Sequence, residues 1–157
     1  MEDKERKQAR IVFNTFCGML EKEGWKFHKD EEGLGLDFIV RGEDLPFHIY
    51  VRIDADRELI DLQAQVTDMP EEKRAEAAQA VCAINYRLAN GCFDYDYTDG
   101  ETTFRLANSY AGSIVGEETC HYMIECACLA IDRYNDILTL YRLGAMSLQE
   151  LLEKIKD

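Results

Sequence analysis

The sequence predicts an α+β domain, one antiparallel sheet flanked by helices in the order α-β-β-β-β-α-β-β-α-α. Three observations carry that prediction. Apolar residues recur at helical spacing near both ends of the chain, whereas the stretches between alternate with a period of two. The alternating runs are separated by turn residues, so neighbouring runs fall into antiparallel pairs. Their pairings also agree with one another: one side of every run is apolar, and the opposite side sets acids against bases. A sheet with one covered and one wetter face gives this pattern, and covering it with helices makes an α+β fold.

From about Asp3 to Lys22 the apolar stripe Ile11/Val12, Phe13, Phe16, Met19 and Leu20 marks an amphipathic helix, which Gly24 stops. Trp25-Lys26-Phe27 leads through Asp30-Glu31-Glu32-Gly33 to the strand Leu36–Val40. Gly42-Glu43-Asp44 turns the chain into Phe47–Ile53, and Asp54-Ala55-Asp56-Arg57 turns it again into Leu59–Val66. A loop centred on Asp56-Arg57 pairs Ile53 with Ile60, Val51 with Leu62 and Ile49 with Ala64, and places Arg52 opposite Asp61. A loop centred on Glu43-Asp44 brings Val40 to Phe47 and Phe38 to Ile49. The apolar face so formed runs from Trp25 and Phe27 across to Ile60 and Leu62.

Asp68-Met69-Pro70-Glu71-Glu72 opens a second helix, with proline near its first turn and acids at its positive end. That helix is expected to reach Ala89, to bury Ala78, Val81, Cys82, Ile84, Asn85 and Leu88, and to close at Asn90-Gly91. Asn85, a polar residue on the packed side, needs partners and is expected to tie the helix to neighbouring backbone. A hairpin follows, with Asp99-Gly100 as a two-residue turn. That register pairs Phe93 with Leu106, Tyr95 with Phe104, Asp94 with Arg105 and Asp96 with Thr103. After Ala111-Gly112-Ser113 a long helix runs from about Gly116 to Leu143, with the stripe Met123, Ile124, Ala127, Ile131, Tyr134, Leu138 and Tyr141. Gly144 ends it. Ser147-Leu148-Gln149-Glu150 is a capping box for a short last helix.

At 157 residues the chain reads as a single domain, 1–157, able to bury its own core. Its 31 acidic against 18 basic residues give a net charge of −13. Such a field repels phosphate backbones and anionic lipid, so neither nucleic acid nor a membrane surface is an expected partner. No secretory signal and no bilayer-length apolar run is seen, so the six cysteines read as reduced cytoplasmic thiols.

The constellations that carry chemistry fail on spacing. Cys120 and Cys128 lie ~12 Å apart along a helix, too far for one tetrahedral metal that also takes His121 or Cys126. His121 and Glu125 read as a surface pair at i,i+4. Asp94-x-Asp96-x-x-Asp99-Gly100 lacks the glycine and the final glutamate that a calcium loop needs at their positions. No nucleotide-binding or nucleophile motif occurs. His28 and His48 fall on the polar side of their strands, and His48, Tyr50 and Arg52 together could line a small polar surface. No catalytic residue, metal or cofactor is expected.

The stretch Ile84-Asn85, Asn90-Gly91-Cys92-Phe93, the strand ending in Asp99-Gly100, and the long helix after Gly116 resemble the YbjN family of bacterial sensory-transduction-regulator-like proteins. The resemblance runs more loosely from Trp25 to Leu152. It implies the type III secretion chaperone-like fold, whose members are small, acidic, cytoplasmic and often dimeric, and it transfers no catalytic residue. The expected function is therefore a non-enzymatic protein-binding module, chaperone-like or regulatory. The alternative is a small-molecule-binding or enzymatic domain using His48, Tyr50 and Arg52. The long helix carries more apolar residues than one sheet face covers, so a homodimer is expected through Met123, Ile124, Ile131, Tyr134, Leu138 and Tyr141; the alternative is that the short last helix folds back over the surplus and leaves a monomer.

Overall fold

Residues 2–156 are described in the computed structural model, and they fold in the expected element order. Helix α1 (Glu2–Lys22) leads to strands β1 (Phe27–Asp30), β2 (Gly35–Arg41), β3 (Pro46–Asp54) and β4 (Leu59–Asp68). A single 3-10 turn, Glu71–Lys73, precedes α2 (Arg74–Arg87). Strands β5 (Cys92–Tyr95) and β6 (Glu101–Ser109) follow, then α3 (Glu117–Arg142) and α4 (Leu148–Lys154). The sheet is antiparallel throughout in the order β1-β2-β3-β4-β6-β5. The connection through α2 carries the chain past one strand position, and β6 returns to fill the gap beside β4.

Alternation decides the layers. Along β3 the buried residues Phe47, Ile49, Val51 and Ile53 interleave with exposed His48, Tyr50 and Arg52. The buried side packs under α1, through Val12, Phe13, Phe16 and Leu20, and under α3. Trp25 and Phe27 sit half-buried at the sheet margin, the Trp25 ring edge-on to Phe38 at 5.7 Å. Both expected meander registers occur. Ile53 pairs Ile60, Val51 pairs Leu62, Ile49 pairs Ala64 and Arg52 faces Asp61. Val40 pairs Phe47 and Phe38 pairs Ile49.

The second hairpin departs from expectation by two residues. Phe93 pairs Phe104, Asp94 pairs Thr103 and Tyr95 pairs Thr102. The loop is longer than Asp99-Gly100 because Asp96 captures the chain early. Its Oδ1 accepts from the Thr98 N–H at 2.8 Å and the Thr98 hydroxyl at 2.6 Å, and its carbonyl accepts the Gly100 N–H at 2.8 Å. A slip of two keeps every side chain on its face, so Phe93 and Phe104 still bury together, 5.4 Å apart. Arg105 still finds Asp94, at 2.7 Å, but diagonally rather than across.

Helix α2 is also displaced from its expected bounds. It ends at Arg87, with Leu88 extended, and buries Ala77, Ala80, Val81 and Ile84, while Cys82 is exposed. Gly91 does take a left-handed φ of +73°, but three residues after the helix's capping position, where it turns the chain into β5 against the Phe104 ring. Ala78, Asn85 and Leu88 are half-buried rather than buried, yet the Asn85 amide finds the partners expected of it. Its Oδ1 accepts the Phe93 N–H at 2.7 Å and its Nδ2 donates to the Phe93 carbonyl at 2.9 Å. One side chain thereby satisfies both outward backbone groups of Phe93 on the edge strand, as a residue of a seventh strand would.

Candidate partner-binding surface

The six residues expected to face a second copy do not reach the surface. Met123, Ile124, Ile131, Tyr134, Leu138 and Tyr141 are each 4% exposed or less. The sheet, α1 and α4 cover them within one chain: α3 packs on β4 and β6 and contacts both helices. Tyr134, for instance, stands edge-on to Phe93 at 6.0 Å. The Tyr141 hydroxyl donates to Glu76 Oε2 at 2.6 Å, and Lys73 Nζ donates to the Tyr141 carbonyl at 2.6 Å. Burial and the Glu76 carboxylate push the Tyr141 phenol well above its usual value.

What α3 leaves outside is a different stripe. Leu129 is 67% exposed and Tyr122 50%. Together with Leu88 and Cys126 they line a groove of about 600 Å³ between α3 and the α2–β5 connection. Charged groups rim it, Arg87 and Arg133 against Glu43, Glu125 and Asp132. The connection is tied to α3: Asn90 Nδ2 donates to the Tyr122 hydroxyl at 3.4 Å, and the Cys126 thiol approaches the Asn90 carbonyl at 3.7 Å. Asp132 Oδ1 accepts the Glu43 N–H at 3.1 Å, fixing the β2–β3 loop against the same helix. Partial loss of water, with Asp44 and Asp132 nearby, holds the Asp136 carboxyl above its ordinary value. This stripe was hidden in the sequence because α3 is apolar on most of its circumference, and only its packing partners decide which side stays wet.

The alternative surface, His48, Tyr50 and Arg52, does lie together on the open face of β3. Its bases are already engaged. His48 Nε2 lies 2.6 Å from Asp37 Oδ1, and Arg52 Nη2 lies 3.4 Å from Asp54 Oδ2. Tyr50 rests over the backbone of Gly35, where a side chain would come within 3.0 Å of its hydroxyl. These contacts form a row of surface pairs, with no group oriented toward a common point where a substrate atom could react.

The thiols are scattered. Cys17 and Cys120 are buried, Cys92, Cys126 and Cys128 half-buried, and Cys82 exposed. Burial pushes the Cys120 thiol up to about 12 and the Cys128 thiol up to about 11. Among the described residues no three His, Cys, Asp or Glu side chains come together as a metal set. Among them, too, no helix is long and apolar enough to cross a membrane.

Comparison with solved structures places this architecture. It is similar to a structure described as "Crystal structure of YbjN, a putative transcription regulator from E. coli", at a TM-score of 0.57 and 13% identity, covering 79% of this chain and 91% of the other. It is similar to a chain of the HopA1-SchA chaperone–effector complex, at 0.53 and 13%, covering 78% and 91%. A chain of the ExsC-ExsE complex matches at 0.50 and 14%, covering 75% and 85%. At these identities the likeness establishes the fold: a six-stranded antiparallel sheet with four helices, as in type III secretion chaperone-like structures. No curated protein matches the chain in sequence. Residues 14–139 match the family described as "YbjN: Putative bacterial sensory transduction regulator", so the chain belongs to the YbjN family.

Proposed function

We propose that this chain is a non-enzymatic protein-binding module, chaperone-like or regulatory, that works as a homodimer and uses the α3 groove as its contact surface. The observation that carries the reading is the exposed apolar ridge of α3. Leu129 stands in water beside Leu88 and Tyr122, while Met123, Ile124, Ile131, Tyr134, Leu138 and Tyr141 of the same helix are covered. A ridge of this kind, rimmed by charge, fits a protein contact. The fold supports the reading, since two of its solved likenesses come from complexes, one of them described as chaperone–effector. The net charge of −13 argues against nucleic acid as the partner.

The test is retention of polypeptides from native cell extract on immobilised wild-type protein and on Leu129→Asp. The reading expects a defined polypeptide, this chain included, held by the wild type and lost from the variant. Equal retention by both would remove the groove from the function.

A further inference from the structure

We infer that Asn90 is a self-modification site: the Gly91 amide nitrogen attacks the Asn90 side-chain carbonyl, and the neutral amide becomes a carboxylate on the wall of the α3 groove. The sequence singles this asparagine out. Asn90 precedes a glycine, whereas Asn14, Asn85, Asn108 and Asn135 precede Thr15, Tyr86, Ser109 and Asp136. Glycine has no Cβ to shield its own nitrogen from an incoming carbonyl carbon. The fold holds that vulnerability in place. Gly91 takes a φ of +73°, and a Cβ there would overlap the Phe104 ring, so no shielding residue fits at this position.

The local geometry brings the reacting groups together. The Gly91 N–H donates to Asn90 Oδ1 at 2.9 Å, so the side-chain amide is folded back over the peptide bond that follows it. Holding nucleophile and carbonyl in contact removes much of the entropy cost of closing the ring. Asn90 is also exposed, in the short irregular link between α2 and β5, where water and base reach it. The other four asparagines lie inside α1, α2, β6 and α3, where regular backbone dihedrals leave no freedom to close the ring.

The reaction balances with water alone. The Gly91 N–Asn90 Cγ bond forms and the Cγ–Nδ2 bond breaks. The amide hydrogen passes through solvent to the departing nitrogen, which leaves as ammonia. Water then opens the cyclic imide at either carbonyl. Cleavage at Cγ gives aspartate, and cleavage at the main-chain carbonyl gives isoaspartate. Nothing is oxidised or reduced. The departing Nδ2 is the atom that donates to the Tyr122 hydroxyl at 3.4 Å, so one tie between this link and α3 is lost. The new carboxylate joins Glu43, Glu125 and Asp132 along the groove, whatever that groove holds. Isoaspartate also adds a main-chain carbon just before Gly91, where the chain fits against Phe104.

The experiment incubates the folded full chain for days in mildly alkaline buffer at physiological temperature, followed by peptide mapping. Asn90 is expected to convert ahead of Asn14, Asn85, Asn108 and Asn135, with a gain of one mass unit on its peptide. Released ammonia is expected to match the converted fraction. A protein isoaspartate methyltransferase is expected to label the aged chain and not the fresh one, and Asn90→Gln is expected to abolish that labelling, because its longer side chain would have to close a larger ring. Circular dichroism before digestion verifies that the incubated chain is folded. An Asn90 peptide unchanged in the folded chain would overturn the inference, all the more if the same peptide converts in urea. Earlier conversion of any other asparagine would overturn it as well.

Discussion

At the scale of single residues, the fold depends most visibly on Asn85. Its amide closes both outward backbone groups of Phe93, so removing it orphans a donor and an acceptor on a half-buried edge. Asn85→Ala is expected to cost about 2–4 kcal/mol in urea unfolding. Asn85→Asp keeps the acceptor, loses the donor and is expected to remain clearly destabilised. The thiols make a second prediction. Cys82 is exposed, whereas Cys120 is buried with its thiolate suppressed by desolvation. A disulfide reagent near neutral pH should therefore label Cys82 first and Cys120 only after denaturant is added. Mass-spectrometric mapping checks the order, and early labelling of Cys120 would contradict the packing of α3. Asn85 was legible in the sequence because a polar residue on a packed helix face must be satisfied. Which backbone groups satisfy it was not legible, because they belong to another element.

At the scale of elements, α3 separates two kinds of substitution that look alike in the sequence. Ile131 is 1% exposed and Leu129 is 67% exposed on the same helix. Ile131→Ala is expected to cost about 2–5 kcal/mol in urea unfolding. Leu129→Asp is expected to leave stability nearly unchanged and to alter only what the protein associates with. The β5–β6 hairpin shows a further dependence. Gly100 takes a φ of +84° and lies against the Met69 backbone, whose N–H donates to the Gly100 carbonyl at 2.9 Å. Gly100→Ala meets strain and a backbone clash together, and is expected to destabilise by more than ~1 kcal/mol. Thermal unfolding measures it. The capping box that opens α4 was legible outright: Ser147 Oγ accepts the Glu150 N–H at 3.3 Å, and Glu150 Oε2 accepts the Ser147 N–H at 2.8 Å.

At the scale of the whole molecule, the core holds several groups whose neutral form it favours. Burial raises Cys120 to about 12, Cys128 to about 11 and Tyr110 to about 12, and it raises Tyr141 as well. Ordinary values are 9.0 for the thiols and 10.0 for the phenols. Between the ordinary and the raised values the unfolded chain holds fewer protons than the folded one, so stability falls as pH rises. The contribution is fully present below about pH 9 and is lost progressively toward pH 12. The urea midpoint should decline steadily across that window, and a midpoint flat from pH 9 to pH 11 would mean these side chains are not buried as described.

The sequence by itself determined the element order, the face of each strand and the register of the β2–β3–β4 meander. Alternation, turn residues and capping are properties of neighbours along the chain, so they are written locally. The tertiary structure alone decided three things. It set β6 beside β4 and left β5 at the edge, a long-range pairing that no local pattern along the chain records. It moved the β5–β6 register by two, a slip to which an alternating pattern is blind because every side chain keeps its face. It also chose which side of α3 stays in water. On a helix apolar around most of its circumference, that choice belongs to the sheet, α1 and α4, which cover Met123 through Tyr141 and leave Leu129 outside.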